Sequence, residues 1–296
     1  MIRLPLAVAA AALTFLPLAE VVTSGQGSMR TVYVAAVDKK NAPVMDLTAA
    51  DFVVKEDGKV RTISRAPLAS APMQIALMLD NGGLSLGAIR QGAGQFIQTL
   101  QGKGEFAIFT VGGRMLPLID FTTDVPKLYA GLKSLMARNT TSTDLLDGYI
   151  EVAGEFQRRE AERPVIVTIA SEGEEMSSAH APAVLAAIQK SRAKFYYIGL
   201  GAPVTQGTRG GLANSSNGSE AGSRNAVLGA APRNSGGRTE QVLHASGVTP
   251  LMKQFADELA AQYAVTYSTD ATEARLSIET KRKGVTVRGP TRVGSR

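Results

Sequence analysis

The sequence predicts an α/β protein, with a parallel-rich sheet covered by helices on both faces and a smaller β unit formed by the two ends of the chain. Continuous apolar runs at residues 75–79 and 164–170 are typical of strands that are buried on both faces. Amphipathic helical segments alternate with such runs through the middle of the chain. Shorter segments of alternating polarity lie near both ends, at residues 31–37 and 284–288.

The composition is that of a globular protein without disulfides and without the features of a nucleic-acid-binding protein. The chain has 296 residues, 44% of them hydrophobic, which is enough for one large domain or two modest ones. It contains no cysteine, so disulfides and thiolate chemistry are excluded. The net charge is +6, but aromatic residues make up only 5% and do not alternate with basic ones, so we expect no nucleic-acid partner.

Residues 1–24 are predicted to be an export signal, because Arg3 is followed by an almost entirely apolar stretch at 4–18. This stretch is short for a membrane span. We therefore expect an exported protein, periplasmic or secreted, without an integral membrane domain. An uncleaved N-terminal anchor stays open as an alternative.

Residues 30–68 are predicted to form the first part of a β module. Strands are expected at 52–55 and 60–63, joined by the Asp57-Gly58 pair, which is a strong hairpin signal. A unit of this size cannot bury a core alone, so it needs strands from elsewhere. The alternating segments within residues 272–292 are the expected partners.

The segment 72–268 is predicted to contain the main sheet, whose second and third strands form an antiparallel pair. Residues 201–237, rich in Gly, Ser and Asn, are predicted to be a flexible surface loop within it. Strands are expected at residues 75–79, 106–110, 115–119, 164–170, 195–200 and 263–267, and helices from about residues 89, 124, 143, 182 and 250.

Asp80 stands at the end of the first apolar run, in the stretch MQIALMLDNGGLS at residues 73–85. The strand gives way to a helix just after it. Because open α/β sheets bind ligands at the carboxyl ends of their strands, Asp80 is the first candidate for a functional site.

The order of these segments resembles a von Willebrand factor A (VWA) domain: the strand ending at Asp80, then FAIFTVGGR, FTTD, NTTSTDLLDGY, PVIVTIASEGEE and QYAVTY. The flanking β segments look like those of the VWA-related family abundant in Acidobacteria. The resemblance implies a doubly wound, mostly parallel, Rossmann-like six-stranded sheet with one antiparallel strand, and a small accessory β-sandwich built from N- and C-terminal strands. It also implies a divalent cation site at the top of the sheet that mediates adhesion.

The resemblance implies that this cation site needs an Asp-x-Ser-x-Ser motif, a later Thr and a later Asp, all of them hard oxygen ligands. Asp80 and Thr143 match, Gly82 and Leu84 replace the two serines, and Glu172 stands at the second acidic position. We therefore predict a degenerate site with no bound cofactor, at the vestigial positions Asp80, Thr143 and Glu172. A weakly bound Mg²⁺ or another divalent cation stays open as an alternative.

The same loops are predicted to form a rim that binds a protein partner, made of Asp80, Asn81, Ser85, Thr143 and Glu172. Each residue also has a purely structural interpretation. Asp80 can cap the following turn, Thr143 can begin a helix as its N-cap, and Glu172 can belong to a solvated acidic turn.

An enzyme is not predicted. His180 and His244 are the two histidines, and Ser171 lies on a turn that lacks the G-x-S-x-G pattern of a serine hydrolase. The sequence thus predicts an exported, non-enzymatic interaction or adhesion module, whose partner and oligomeric state it does not name. A scaffold component of a cell-envelope assembly is the alternative.

Overall fold

The computed structural model describes residues 28–83, 85–140, 142–171, 173–201 and 217–294, with the side chains of 217–221 outside the description. The predicted export signal therefore lies outside the described residues, as do Leu84, Glu172 and residues 202–216 of the predicted loop. None of the helices in the described ranges is long and apolar enough to cross a membrane.

The described residues form, in chain order, β1 (Ser28–Val37), β2 (Phe52–Glu56), β3 (Lys59–Arg61), β4 (Ile63–Arg65), β5 (Met73–Leu79), α1 (Leu86–Thr99), β6 (Gly104–Thr110), β7 (Leu116–Thr122), α2 (Val125–Ser134), β8 (Ser142–Thr143), α3 (Leu145–Arg158), β9 (Arg163–Ser171), β10 (Glu174–Glu175), α4 (Ala181–Ser191), β11 (Lys194–Leu200), α5 (Asn217–Ser235), β12 (Arg238–Val242), α6 (Val248–Ala260), β13 (Tyr263–Thr269), β14 (Ala274–Thr280), β15 (Thr286–Arg288) and β16 (Arg292–Val293).

The central sheet has six strands in the order β12-β11-β9-β5-β6-β7. Its neighbours are parallel except at one edge, where β7 runs antiparallel to β6. The chain winds outward from β5 in both directions, which confirms the doubly wound, mostly parallel sheet with one antiparallel strand. The carboxyl ends of β5 and β9 lie side by side at the point where the winding reverses.

Both faces of this sheet are buried by helices, which explains the continuous apolar run in β5. Ile75, Leu77 and Leu79 pack in one core with α1, α2 and α6. Ala76 and Met78 point to the other face and pack with α3, α4 and α5. Because neither face is open to water, no polar residue interrupts the run until Asp80.

The two ends of the chain form a β-sandwich. One sheet has the order β15-β1-β13-β4 and the other β16-β14-β2-β3. Their inner faces share one core, in which Val34 and Tyr267 from the first sheet pack with Val54 and Leu276 from the second. This confirms the predicted accessory sandwich built from N- and C-terminal strands.

The predicted hairpin forms at Asp57 and Gly58, whose φ angles are 47° and 82°. Two positive φ values are what a tight two-residue hairpin turn requires, and Gly58 adopts this conformation without steric cost. The returning strand, predicted as one piece at 60–63, divides into β3 and β4, which belong to different sheets of the sandwich.

Two predictions about the second half of the chain are wrong. Residues 263–267 were expected to be the last strand of the central sheet, but β13 pairs with β1 in the sandwich, and β12 is the sixth central strand. The predicted flexible loop at 201–237 contains the helix α5, whose Val227 and Ala231 are buried. The physical reason is that α5 offers only a narrow apolar stripe of small residues, too weak to reveal a buried helix in the sequence.

Candidate functional site

A cavity of about 80 Å³ lies at the carboxyl ends of β5 and β9. Three backbone segments surround it: the turn after β5, the loop that leads into β8, and the turn after β9. We call the described residues that line it the upper rim: Asp80, Gly82, Gly83, Thr140, Ser142, Thr143, Ala170, Ser171 and Gly173.

Asp80 forms the floor of the upper rim and joins two of its segments. One carboxylate oxygen, Oδ1, accepts a hydrogen bond from the backbone N–H of Gly82 at 2.7 Å. The other, Oδ2, accepts one from the N–H of Ser171 at 2.8 Å. The carboxylate thus holds the turn after β5 to the end of β9, as a charge-assisted acceptor of backbone donors.

Gly82 lies against the loop that precedes β8. A Cβ atom built on Gly82 would be 2.5 Å from the carbonyl oxygen of Thr140 and 3.2 Å from Asp80 Oδ1. The first distance is shorter than any real contact of a Cβ atom, so a side chain at this position requires the loop to move. The backbone at Thr140, in the loop that precedes β8, thus occupies the space that a residue larger than glycine would need.

Asn81 is only 4% exposed and fixes the same loop from below. Its Nδ2 donates to the carbonyl oxygen of Met136 at 2.9 Å, and its Oδ1 accepts from the N–H of Gly112 at 3.1 Å. Its backbone carbonyl also accepts from the N–H of Arg138 at 2.6 Å. Asn81 therefore organises the rim and does not project from it.

Thr143 lies in the rim but does not cap α3, whose N-cap is Asp144. Its hydroxyl donates to the carbonyl oxygen of Val111 at 2.8 Å, so its proton is directed into the protein while its lone pairs remain as acceptors. Beside it, the hydroxyls of Ser142 and Thr140 bond to each other at 3.0 Å. The structural alternative of Thr143 as an N-cap is therefore wrong.

Arg224 supports the turn after β9 from the helix α5. This side chain is 4% exposed and donates to the carbonyl oxygens of Gly173 and Ser171 and to the hydroxyl of Tyr197, each at 3.0 Å. It thus joins two backbone carbonyl groups of this turn to the helix α5. A helix that the sequence did not reveal thus holds one wall of the rim.

Glu175 lies below the rim, next to Thr143 through the pairing of β8 with β10. Burial raises the pKa of its carboxyl group above the ordinary value of 4.5, while the hydrogen bond from Ser177 and the charge of Arg224 act in the opposite direction. The Ser177 hydroxyl donates to Oε1 at 2.6 Å, and Oε2 has no hydrogen-bond partner among the described residues. Beneath the rim there is therefore a buried carboxyl group, that of Glu175, one of whose oxygen atoms has no hydrogen-bond partner among the described residues.

The structure brings together only part of the predicted site. Asp80 and Thr143 both line the cavity. Asn81 lies beneath it, and Ser85 is the N-cap residue of α1, outside the described lining. Glu172 is outside the described residues. The role of this set in binding a partner stays a prediction.

Sequence reasoning missed Thr140, Ser142, Ser171 and Gly173 as residues of the rim. One signal was present, since the run NTTST at residues 139–143 concentrates hydroxyl groups just before a helix. Sequence alone did not reveal that this run folds over the turn at Gly82.

The described donors do not fit a tightly bound divalent cation. Asp80 is the one carboxylate among the described lining residues, and each of its oxygens already accepts a backbone N–H bond. In the described ranges, no three His, Cys, Asp or Glu side chains converge. Since the affinity of oxygen sites for hard cations rises with the number of charged ligands, the described lining, with its single engaged carboxylate, would bind a cation only weakly by itself.

No protein-family model matches the sequence, and no curated protein matches it either. The solved structures that are similar to it include VWA proteins. The von Willebrand factor type A protein from Catenulispora acidiphila is 10% identical over 92% of this chain and 75% of that chain, with a TM-score of 0.48.

Two further similar structures are BatB from Bacteroides thetaiotaomicron, and proximal thread matrix protein 1 from the mussel byssus with a zinc-occupied MIDAS motif. BatB is 16% identical over 64% of this chain and 98% of that chain, with a TM-score of 0.46. The mussel protein is 13% identical over 67% of this chain and 48% of that chain, with a TM-score of 0.48. This chain thus spans about half the length of the mussel protein.

Proposed function

We propose that this chain is an exported, non-enzymatic module that binds a protein partner through the upper rim. The observation that carries the proposal is the fixed rim at the reversal point of the sheet, where the carboxylate of Asp80 joins two loops around a small cavity. Ligands of open α/β sheets bind at this place. Because the loops are already held by hydrogen bonds, little ordering is required on binding.

The size of the cavity favours a protein partner over a small-molecule substrate. At about 80 Å³, it is smaller than the pockets of roughly 300–1,000 Å³ that enclose small molecules. It has room for one side chain of a partner, whose remaining surface would rest on the surrounding loops. The partner's chemistry is suggested by the hydroxyl groups of Thr140, Ser142 and Ser171, which offer donors and acceptors.

The proposal includes a degenerate metal site. Gly82 offers no hydroxyl, and the loop carbonyl of Thr140 fills the space where a larger side chain would begin. Metal-independent binding follows, with Asp80 serving as a structural acceptor. A rim that still holds Mg²⁺ weakly through Asp80 is the alternative, and the two versions differ in their response to a chelator.

The absence of catalysis is part of the same proposal. General acid–base or nucleophilic catalysis needs a nucleophile next to a base. Asp80 is the only titratable side chain among the described lining residues. His180 and His244 precede a helix and a 3₁₀ turn, respectively, and do not belong to that lining.

Export is proposed from the N-terminal segment alone, and two biological roles remain within the proposal. An adhesion module would bind a foreign surface, whereas a scaffold component would bind one protein of its own cell envelope. The division of the chain into a central unit, predicted at 72–268, and a β module, predicted at 30–68 and 272–292, also stays a proposal, except that β13 belongs to the β module.

Site-specific photo-crosslinking tests the proposed function. A photoreactive residue replaces Gly173, which is exposed on the rim, and in a matched control it replaces Lys190, which is exposed on α4 away from the rim. We expect a discrete adduct from the rim position only, unchanged by EDTA. One stoichiometric envelope protein in the adduct indicates a scaffold, and an adduct formed only with added matrix protein indicates adhesion. Equal or absent adducts at both positions would contradict the proposal.

A further inference from the structure

A second, larger cavity lies at the opposite end of the central sheet from the upper rim, where the parallel strands β9 and β11 begin. Its volume is about 530 Å³, within the range of small-molecule sites. The beginnings of β9 and β11 form its floor, while β1, α4 and residues 290–294 form its walls. We call it the lower cavity. It is built where the sandwich meets the α/β layer, and it shares no described lining residue with the upper rim.

The lower cavity carries an excess of positive charge. Five basic residues and one acidic residue occur among its described lining residues: Arg30, Arg163, Arg192, Lys194, Arg292 and Glu162. Some of this charge is already engaged, since Arg30 pairs with the buried Glu56 at 2.8 Å. Arg163 donates to the backbone carbonyls of Ala71 and Leu259.

Lys194 is a buried cation of this cavity that makes little direct contact with an acceptor. It is 6% exposed, and its ammonium group donates one long hydrogen bond, to the carbonyl oxygen of Arg288 at 3.4 Å. It forms no ion pair with any described carboxylate. Burial lowers the pKa of Lys194 to about 8; Glu258 acts to raise it, and Arg163 and Arg288 lower it further. A buried charge that lacks a partner is unfavourable unless an anion approaches it.

Gln262 supplies a second unfilled donor in the same cavity. It is 2% exposed, and its Oε1 accepts a hydrogen bond from Arg163 at 3.0 Å. Because a guanidinium group can only donate, Oε1 must face Arg163 and Nε2 must face away from it. Nε2 has no partner among the described residues. A buried amide donor is rarely left in this state.

The remaining walls are apolar, with contributions from Val165, Leu185, Ile188 and Val293. We propose that the lower cavity binds a small organic anion in which one carboxylate is attached to an apolar body. Lys194 neutralises the carboxylate, Gln262 donates a second hydrogen bond, and the apolar walls cover the body. A buried lysine that forms no ion pair with a described carboxylate, set beside apolar surface, matches such a monoanion better than it matches inorganic phosphate, which has no apolar part.

Calorimetric titration with octanoate tests this site in the full-length protein. We expect a dissociation constant in the range of roughly 10 µM to 1 mM, and no comparable binding of octyltrimethylammonium, which has the same tail and the opposite charge. Inorganic phosphate should not compete. Binding of the cationic amphiphile as tight as that of octanoate, full competition by phosphate, or no binding of octanoate would each overturn the proposal.

Two variants and a matched control locate the site. Lys194→Met removes the charge but keeps an unbranched apolar side chain, and it should weaken octanoate binding by at least about tenfold. Lys190→Met removes an exposed charge four residues earlier, outside the lining, and should leave binding unchanged. Leu185→Trp, which enlarges a wall residue, should also weaken binding. Circular dichroism establishes that each variant is folded; unchanged binding by folded Lys194→Met and Leu185→Trp would overturn the assignment.

Discussion

Gly82 is the residue at which the turn after β5 meets the loop that leads into β8. The carbonyl oxygen of Thr140 lies 2.5 Å from the place that its Cβ would occupy. The resemblance implies a metal-binding serine at this position, so the contact bears on the proposed loss of the metal site. The backbone of Thr140 occupies the space that such a side chain would need, and both carboxylate oxygens of Asp80 accept backbone N–H groups.

A serine at this position should therefore destabilise the protein. Gly82→Ser forces Cβ against the backbone of Thr140, and we expect it to lower the free energy of unfolding by about 1–3 kcal/mol, as overpacking does. Gly87→Ser is the matched control, because Gly87 lies at the start of α1 with no atom within 4 Å of a built Cβ. It should be neutral or stabilising by up to about 0.5 kcal/mol. Urea unfolding measures the free energy of unfolding of both variants. Equal values for the two variants would contradict the close contact between Gly82 and the backbone of Thr140.

Glu175 gives the rim a pH-dependent stability. Because burial raises its pKa, the folded state binds the proton more tightly than the unfolded state does. The free energy of unfolding then falls as pH rises from the ordinary pKa through the raised one. Glu175→Gln removes this loss, so the variant should gain stability relative to the wild type as pH rises above about 4.5.

The control for this prediction is Glu151→Gln, an exposed acid on α3. Its stability difference from the wild type should not change across the same pH range. Denaturant midpoints at several pH values provide the measurement. A difference between Glu175→Gln and the wild type that stays constant with pH would contradict the role assigned to burial.

At this scale, the sequence predicted the residues that carry recognisable chemistry and missed those that depend on loop packing. Asp80 and Thr143 could be placed because each occupies a fixed position relative to a strand or helix. Asn81 was expected on the rim, yet it lies below it, since its amide is taken by the backbone of Met136 and Gly112. Long-range backbone contacts of this kind leave no local pattern.

Among the elements, α5 connects the far side of the sheet to the rim. Arg224 extends from this helix to the carbonyl oxygens of Ser171 and Gly173. The composition of residues 201–237 predicted a loop, because small and polar residues dominate it. The helix is stabilised by its position over β11 and β10, where Val227, Ala231 and Arg224 are buried. Tertiary contacts here override a weak local signal.

Removing the Arg224 side chain should destabilise both the helix α5 and the turn after β9, which this side chain joins. We expect Arg224→Met to lower the free energy of unfolding by about 2–3 kcal/mol, because two backbone carbonyls and the Tyr197 hydroxyl lose a charged donor. Hydrogen exchange should rise in α5 and at residues 171–175. Arg233→Met is the control, since Arg233 is exposed and, among the described residues, hydrogen-bonds only within α5, to Gly229. Equal exchange in the two variants would exclude the proposed support.

The strand β13 shows that the order of strands along the chain does not determine the sheet to which a strand belongs. Its residues have the apolar character of a central strand, and Tyr263, Val265 and Tyr267 are all buried. Burial is provided by the sandwich instead, through pairing with β1. The sequence predicted the existence of the strand but not its sheet, because the partner lies more than 200 residues away.

For the whole molecule, Glu258 links the two layers. It is 1% exposed on α6, and its carboxylate accepts from Tyr196 of β11 at 2.8 Å and from Arg288 of β15 at 2.5 Å. Arg238 of β12 lies 3.8 Å from the same carboxylate. A buried anion thus neutralises cations from both the central sheet and the sandwich.

Breaking this link should destabilise both layers together. Glu258→Gln leaves Arg288 and Arg238 without their buried counter-charge, and we expect a loss of about 3–5 kcal/mol. Hydrogen exchange should increase in β11 and in β1. The control Asp257→Asn removes the neighbouring carboxylate, which pairs with Lys253 at the surface and is worth about 0.3–0.5 kcal/mol. An effect confined to one layer would show that the layers unfold independently.

The central claim is that Asp80 holds the rim closed and does not hold a cation tightly. Calorimetric titration of the metal-stripped protein with Mg²⁺, Mn²⁺ and Ca²⁺ tests it most directly, with Asp80→Ala as the comparison. We predict no binding tighter than about 1 mM for any of the three ions. A micromolar dissociation constant that disappears in folded Asp80→Ala would contradict the account and restore a metal-dependent rim.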